Sequence, residues 1–507
     1  MSPPSPSDGP VIRPRPVSDV LAADRIGARG IYTIASGAVA PLTVVAGVVT
    51  TAWAVTGVVA IPLAFVLIAG LLAVFAVGYV AMARHITNAG AFYAFIARGL
   101  GRPTGVAAAL VAWIAYNLLQ VGLYGAFGPS AAALIADQTG VHLPWWLPAL
   151  VAWLVTAILG VLRVDLNSRV LAVLLAAEIA FVIGCDLVNL THPAPDAYRH
   201  AGAAFAPSGL FGHGVGAGFA VAVTGYVGFE LVAAFTEEAR QAARSVRTAV
   251  FALLASMLAL YAISAWAMTI AAGPAGVLDA AGTQGSDLLW TLAGDALGSH
   301  LVVDAGHVLF LTSLFAAMVS YHAAVARYTF ALGRERVLPA VLGRTSARSS
   351  APVPASLTQS ALALVVIIGY AAAGWDPLVR LFFWLGTSGG FGVLLLLTAT
   401  CAAVIGFFAR RPRREPVTTR LVAPIAALAG LATVTVLALT NYATLLGVPA
   451  ASPWRWAFPA MYGLAILTGL AWGLLLRATR RDTYYRIGLG PHAVTGRATT
   501  TLTGASA

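Results

Sequence analysis

Residues 224–230 read Thr224-Gly225-Tyr226-Val227-Gly228-Phe229-Glu230, and the fold turns on how this stretch is read. It sits inside an apolar run, 215–235, long enough to cross a bilayer, which takes about 20 residues of helix. Yet it holds two glycines and a carboxylate at a depth where a charge costs at least about 2.5–3.5 kcal/mol. Backbone that unwinds at mid-membrane persists only where its freed N–H and C=O groups face protein, a cavity or a ligand. The stretch therefore predicts a broken helix next to a binding site.

A second break is expected in the first apolar run, where Ser36-Gly37-Ala38-Val39-Ala40-Pro41-Leu42-Thr43 interrupts an otherwise helical pattern. Pro41 has no backbone N–H and its ring clashes with the preceding turn. Taken alone, this stretch reads equally well as a simple proline kink. The pairing decides between the readings: runs one and six are the first helices of two five-helix groups. Carriers often bind solutes where two helices unwind at corresponding positions of two inverted halves.

Working outward, twelve apolar runs cover the chain, over 31–52, 57–82, 105–136, 145–162, 169–190, 215–235, 248–271, 303–331, 356–373, 379–408, 421–445 and 456–477. The chain is 59% hydrophobic and 10% charged, against roughly 25% charged in a soluble domain. Lipid is the solvent that this composition implies. The net charge of +11 does not indicate nucleic acid, because the basic residues form no stripe with aromatics. All 30 are arginines, and they recur in short clusters between the apolar runs. With the N-terminus placed in the cytoplasm, 27 of the 30 fall on the inner side, as the positive-inside rule requires. Both termini are then cytoplasmic in the cell membrane. The organisation expected is a disordered tail over 1–30, a first five-helix repeat over 31–190, a second over 215–408, two further helices over 421–477 and a cytoplasmic tail over 478–507.

Three motifs carry a family resemblance. Tyr226-Val227-Gly228-Phe229-Glu230 with Thr236-Glu237-Glu238-Ala239-Arg240 resembles the "F-S-G-F-E … E-E" signature of the amino acid–polyamine–organocation (APC) superfamily of permeases. Asn88-Ala89-Gly90-Ala91-Phe92-Tyr93 is similar to the "S-A-G-G-A-Y" that follows helix two in that family. Residues 326–339, with Arg327, Arg334, Leu338 and Pro339, resemble its "S-R-x-x-x-x-x-A-R-D-G-x-L-P" segment. The similarity covers roughly residues 25–410. It implies an all-α polytopic membrane protein of about twelve helices, with a 5+5 inverted-repeat core, helices one and six broken and two C-terminal helices added. It also implies a secondary transporter for an amino acid, or alternatively for a small organic amine or polyamine. The substrate carboxylate would meet N–H groups of the broken first helix, carried here by Ala40, Pro41, Leu42 and Thr43. Val227 and Gly228 would lie beside the substrate, and Tyr226 falls at the family's aromatic gate. The sequence departs from the family's G-x-G at Ala40-Pro41-Leu42-Thr43.

Other polar residues lie within the apolar runs. Glu178, among Leu174, Leu175, Ile179 and Phe181, must protonate, recruit a cation or find a polar partner. With Glu230 it is a candidate for coupling to protons or sodium, the alternative being a tie between helices. Tyr116 is a candidate substrate contact or an interhelix hydrogen bond, with Gln120 on the same face one turn on. Cys185 and Cys401 lack metal-ligand spacing. No cofactor or metal is expected, and no nucleophile–base pair suggests an enzyme.

Overall fold

The computed structural model describes residues 17–18, 21, 24–162, 164–210, 214–346, 349–410 and 415–493. The membrane helices run α1 (Ala28–Thr56), α2 (Ile61–Ala83), α3 (Arg102–Thr139), α4 (Trp146–Gly160), α5 (Val164–Thr191), α6 (Val215–Phe235), α7 (Ala242–Ala272), α8 (His300–Arg334), α9 (Val353–Ala372), α10 (Pro377–Arg410), α11 (Thr418–Thr440) and α12 (Trp454–Thr479). Among the described residues eleven of these are long and apolar enough to cross a membrane. The remaining one, α4, is apolar but has 15 residues, about 22 Å of helix. Each run read from the sequence thus becomes a helix, because an intact helix is the one open structure that satisfies its own backbone in lipid.

The longest helix, α3, packs against α8, α10 and α12. Lipid offers little hydrophobic drive between helices, so small residues that let backbones approach carry the contact. Gly473 in α12 is such a position: a Cβ there would lie 2.6 Å from Cα of Pro103. The opposite face of α12 is open, with Leu464 and Leu467 each 66% exposed, as suits a lipid-facing surface.

Part of the expected tail over 1–30 lies outside the described residues; the part that is described is bound to the body. Val17–Ser18 pairs antiparallel with Thr345–Ser346. The Arg25 and Ile26 amides donate to the Glu238 carbonyl at 3.0 and 3.1 Å, and the Arg240 amide donates to the Ile26 carbonyl at 2.8 Å. Burial of Leu21 and Ile26, each 3% exposed, is the apolar contribution that a Pro- and Ser-rich reading overlooks. At the other end, α12 is followed by a short helix, Arg481–Arg486, and a turn that docks back onto the same face. The remainder of the expected C-terminal tail lies outside the described residues.

Candidate functional site

α1 breaks at Ala40, which adopts the left-handed conformation (φ 52°, ψ 73°), and a new helix starts with Pro41. Pro41 has no N–H to give the Gly37 carbonyl. The Thr43 amide is diverted to Ser313 Oγ of α8 at 3.2 Å, and the Thr43 hydroxyl donates to the same oxygen at 3.0 Å. Gly37 and Val39 thereby lose their usual helical donors. α6 breaks at Val227 (ψ 129°) and Gly228 (φ 121°) and continues as a 3-10 helix over Phe229–Phe235.

The two breaks touch. A Cβ on Gly228 would lie 2.9 Å from the Val39 nitrogen and 3.1 Å from the Ala38 carbonyl carbon, so only glycine lets the unwound strands meet. The Gly228 amide, freed by the break, donates to Glu230 Oε2 at 2.9 Å. Glu230 Oε1 accepts the Tyr116 hydroxyl at 2.7 Å, and the Val227 carbonyl accepts the Tyr321 hydroxyl at 3.1 Å. The carboxylate that the sequence singles out thus turns back on its own backbone and holds the break open.

A cavity lies against both breaks, towards the end of the bundle opposite the arginine clusters. Helix α1 contributes Ala38, Val39, Ala40 and Thr43, and α6 contributes Thr224 and Val227. Leu119 and Gly122 of α3, Tyr321 of α8 and Phe382, Phe383 and Gly386 of α10 add to the wall. Among the described residues its polar side chains are threonines and one tyrosine, and no charged side chain lines it. About 100 Å³ is free, room for several water-sized groups.

Of the residues the sequence singles out, Ala40, Thr43 and Val227 line this cavity. Pro41 and Leu42 stand behind it, and Gly228, Tyr116 and Glu230 form the support for the α6 break. Tyr226 is buried, donating to the Phe65 carbonyl at 3.1 Å with its ring 5.3 Å from Tyr261. Gln120 is tied to Tyr124 and Gln359 at 3.0 Å each. Glu178 is buried at 1% exposure, with the Ser313 hydroxyl and the Leu42 amide as the polar groups beside it. Among the described residues neither carboxylate oxygen has a donor in full hydrogen-bond geometry. The amides at the start of the second half of α1 thus turn towards α5 and α8. Ser313, Tyr321 and the Phe382–Phe383 wall were not singled out from sequence. Ser313, one of two serines in the apolar run of α8 with Ser320, was the available signal there; nothing in α10 marks its two phenylalanines as cavity residues.

The arginine-rich end is closed beneath the breaks. Arg327 forms a two-pronged pair with Glu238 (2.6 and 3.1 Å), and Arg334 another with Glu237 (2.7 Å on both prongs). Glu237 also accepts the Ala89 amide at 2.8 Å. The three sequence motifs therefore converge on one buried ionic layer. Paired carboxylates and guanidiniums of this geometry are worth keeping intact, because losing one partner strands a buried charge at about 3–5 kcal/mol.

A family model described as "Amino acid permease" matches residues 28–471. The chloroplastic cationic amino acid transporter 7 of Arabidopsis thaliana is 28% identical over 207 residues, 38% of this chain. That match spans 32% of the relative's length. The crystal structure of MhsT in complex with L-phenylalanine shares the fold with a TM-score of 0.58 at 14% identity, covering 82% of this chain and 99% of that one. That likeness, with the eleven apolar helices, makes the fold an inverted-repeat transporter core.

Proposed function

This chain belongs to the amino acid permease family and is a multi-pass membrane transporter, and on that premise we propose that it carries a small neutral amino acid across the cell membrane by alternating access, with both termini cytoplasmic. The observation that carries this reading is the pair of touching breaks, with a cavity on one side and a buried ionic layer on the other. That is the arrangement of a carrier open or openable at one end and sealed at the other. The apolar, uncharged wall suits a neutral side chain. A cationic side chain or a diamine would call for an acidic residue facing the cavity, whereas Glu178 and Glu230 both face protein.

Coupling is assigned to Glu178, and Glu230 to holding the α6 break. An anionic Glu178 beside the Leu42 amide competes with a substrate carboxylate for the positive end of the second half of α1. Neutralising Glu178 with a proton, or screening it with sodium, loosens its hold on the Leu42 amide, so that the second half of α1 can turn its first amides from α5 and α8 towards the cavity and the substrate. The substrate ammonium meets the carbonyls that the break frees at Gly37 and Val39. Binding of cation and of solute thereby favour each other.

The test is uptake into proteoliposomes across neutral amino acids, arginine, lysine and putrescine, driven by imposed pH or sodium gradients. Wild type is expected to accumulate a neutral amino acid and ignore the cations. Glu178→Gln, permanently neutral, is expected to bind and to exchange substrate across the membrane yet to lose gradient-driven accumulation. Equal accumulation by wild type and Glu178→Gln would reduce Glu178 to a tie between helices. Accumulation of putrescine or arginine alone would overturn the neutral-substrate reading.

A further inference from the structure

A second cleft lies away from the transport pathway, in the half of the bundle nearest the arginine clusters. Its apolar part runs between α3, α8 and α12, with Leu110, Trp113, Leu338 and Trp472 on its walls. Both indoles are anchored: Trp113 Nε1 donates to the Thr329 hydroxyl at 3.2 Å, and Trp472 Nε1 donates to the Val337 carbonyl at 3.4 Å. The cleft is bounded on α12 by the exposed Leu464 and Leu467 face, so it opens where lipid chains lie.

The polar mouth of the cleft is basic. Arg336 and Arg480 line both the apolar cleft and an adjoining hollow, which adds Arg481, Arg486 and the single acid Asp482. Arg336, Arg480 and Arg481 are exposed, and no acid lies within salt-bridge distance of them among the described residues. What brings the two arginine groups together is Glu335, buried at 0% exposure. It accepts the Gly488 amide at 2.6 Å, the Gly490 amide at 2.7 Å, Asn88 Nδ2 at 2.9 Å and the Tyr93 hydroxyl. The turn after the Arg481–Arg486 helix is thus pinned directly beside Arg336.

We propose that this cleft binds an anionic phospholipid of the leaflet at the arginine-rich end. An acyl chain lies against Trp113 and Trp472, and the phosphate sits between Arg336 and Arg480. Charge complementarity selects the headgroup: basic pockets between helices at headgroup depth attract anionic lipid, at about 1 kcal/mol per arginine. The continuous apolar cleft selects a lipid over a free phosphate.

The test uses the full-length protein purified in a neutral detergent, titrated with phosphatidylglycerol or with phosphatidylcholine of the same chains, and read by native mass spectrometry and thermal shift. Phosphatidylglycerol is expected to be retained as a bound adduct and to raise the melting temperature more than phosphatidylcholine. The double variant Arg336→Gln/Arg480→Gln is expected to lose about 25-fold in that affinity, roughly fivefold for each arginine. Arg199→Gln, at an exposed site elsewhere, serves as the control and is expected to bind as wild type does. Because both substituted arginines are exposed, the double variant should fold; an unchanged melting temperature without lipid verifies this. Glu335→Ala, which unpins the turn, is expected to weaken phosphatidylglycerol selectively and leave phosphatidylcholine retention unchanged. Equal retention of the two lipids would overturn the proposal, as would undiminished selectivity in the double variant. Equal stabilisation by inorganic phosphate alone would also overturn it, by showing an anion site without a lipid. A dimer in phosphatidylcholine that buries Trp472 would do so as well, by giving the cleft to a second copy.

Discussion

The breaks in α1 and α6 do the same job by different means. In α1 the interruption is covalent: Pro41 lacks the N–H that would bridge it, and Ala40 takes a left-handed conformation that costs an L-residue about 1–2 kcal/mol. In α6 there is no proline. Gly228 supplies the positive φ without strain, and the side chain of Glu230 supplies the hydrogen bond that the helix gives up. One break is thus written into the chain and would resist closure whatever surrounds it. The other depends on side-chain hydrogen bonds, from its own Glu230 and through it from Tyr116 of α3, and is the one that a change of packing can open or shut.

That contrast ranks the effects of substitution. The largest falls on Gly228: Gly228→Leu places side-chain atoms on the α1 backbone at Val39 and forces an L-residue to φ 121°. Uptake is expected to fall at least about a hundredfold with membrane insertion retained, measured as transport per unit of monodisperse protein. Transport at the wild-type rate would mean that the two breaks do not need to touch.

Next comes Glu230. Glu230→Ala strands the Gly228 amide and the Tyr116 hydroxyl in the bundle interior, at about 1–3 kcal/mol each. Glu230→Gln keeps an acceptor for one of them. The melting temperature in detergent is expected to fall in the order wild type, Gln, Ala, with uptake following the same order. If Ala and wild type melt together, the α6 break is held by its glycine alone, and the distinction from α1 disappears.

The smallest effect is expected at Ala40. Ala40→Gly relieves the left-handed strain but adds freedom to the unfolded chain, for a net gain of about 0.5–1 kcal/mol. The melting temperature should rise slightly and uptake should be unchanged, because Pro41 still imposes the break. A loss of uptake in Ala40→Gly would show that the methyl of Ala40, a cavity-lining residue, contacts the substrate.

Much of the fold could be read from the chain, because hydropathy and backbone chemistry are local. Apolar runs of span length must be helical in lipid, so twelve of them appear close to the expected bounds. Pro41 and Gly228 announce their breaks from within a few residues. Arginine clusters mark one end of the bundle, and Glu237, Glu238, Arg327 and Arg334 stand out as charges in an apolar chain.

The partners were not legible. That Thr43 gives its amide to Ser313, 270 residues away, depends on where α8 crosses α1, and no local pattern carries that crossing. Glu230 reads as a candidate coupling site from sequence; it accepts the amide of Gly228, two residues before it, and the hydroxyl of Tyr116, and the second of these contacts waits on where α3 crosses α6. Glu335 looks like one more charge in a basic loop; only the folded chain brings Gly488 and Gly490 to it. The chain by itself determined where helices form and where they must stop, since those are energies of each segment against lipid. Tertiary structure alone decided which group satisfies each freed amide and carbonyl, and therefore that Glu230 holds a helix open while Glu178 lies buried against Leu42 and Ser313. Hydrogen bonds are short-ranged and directional, so their assignment waits on the packing of helices far apart in sequence.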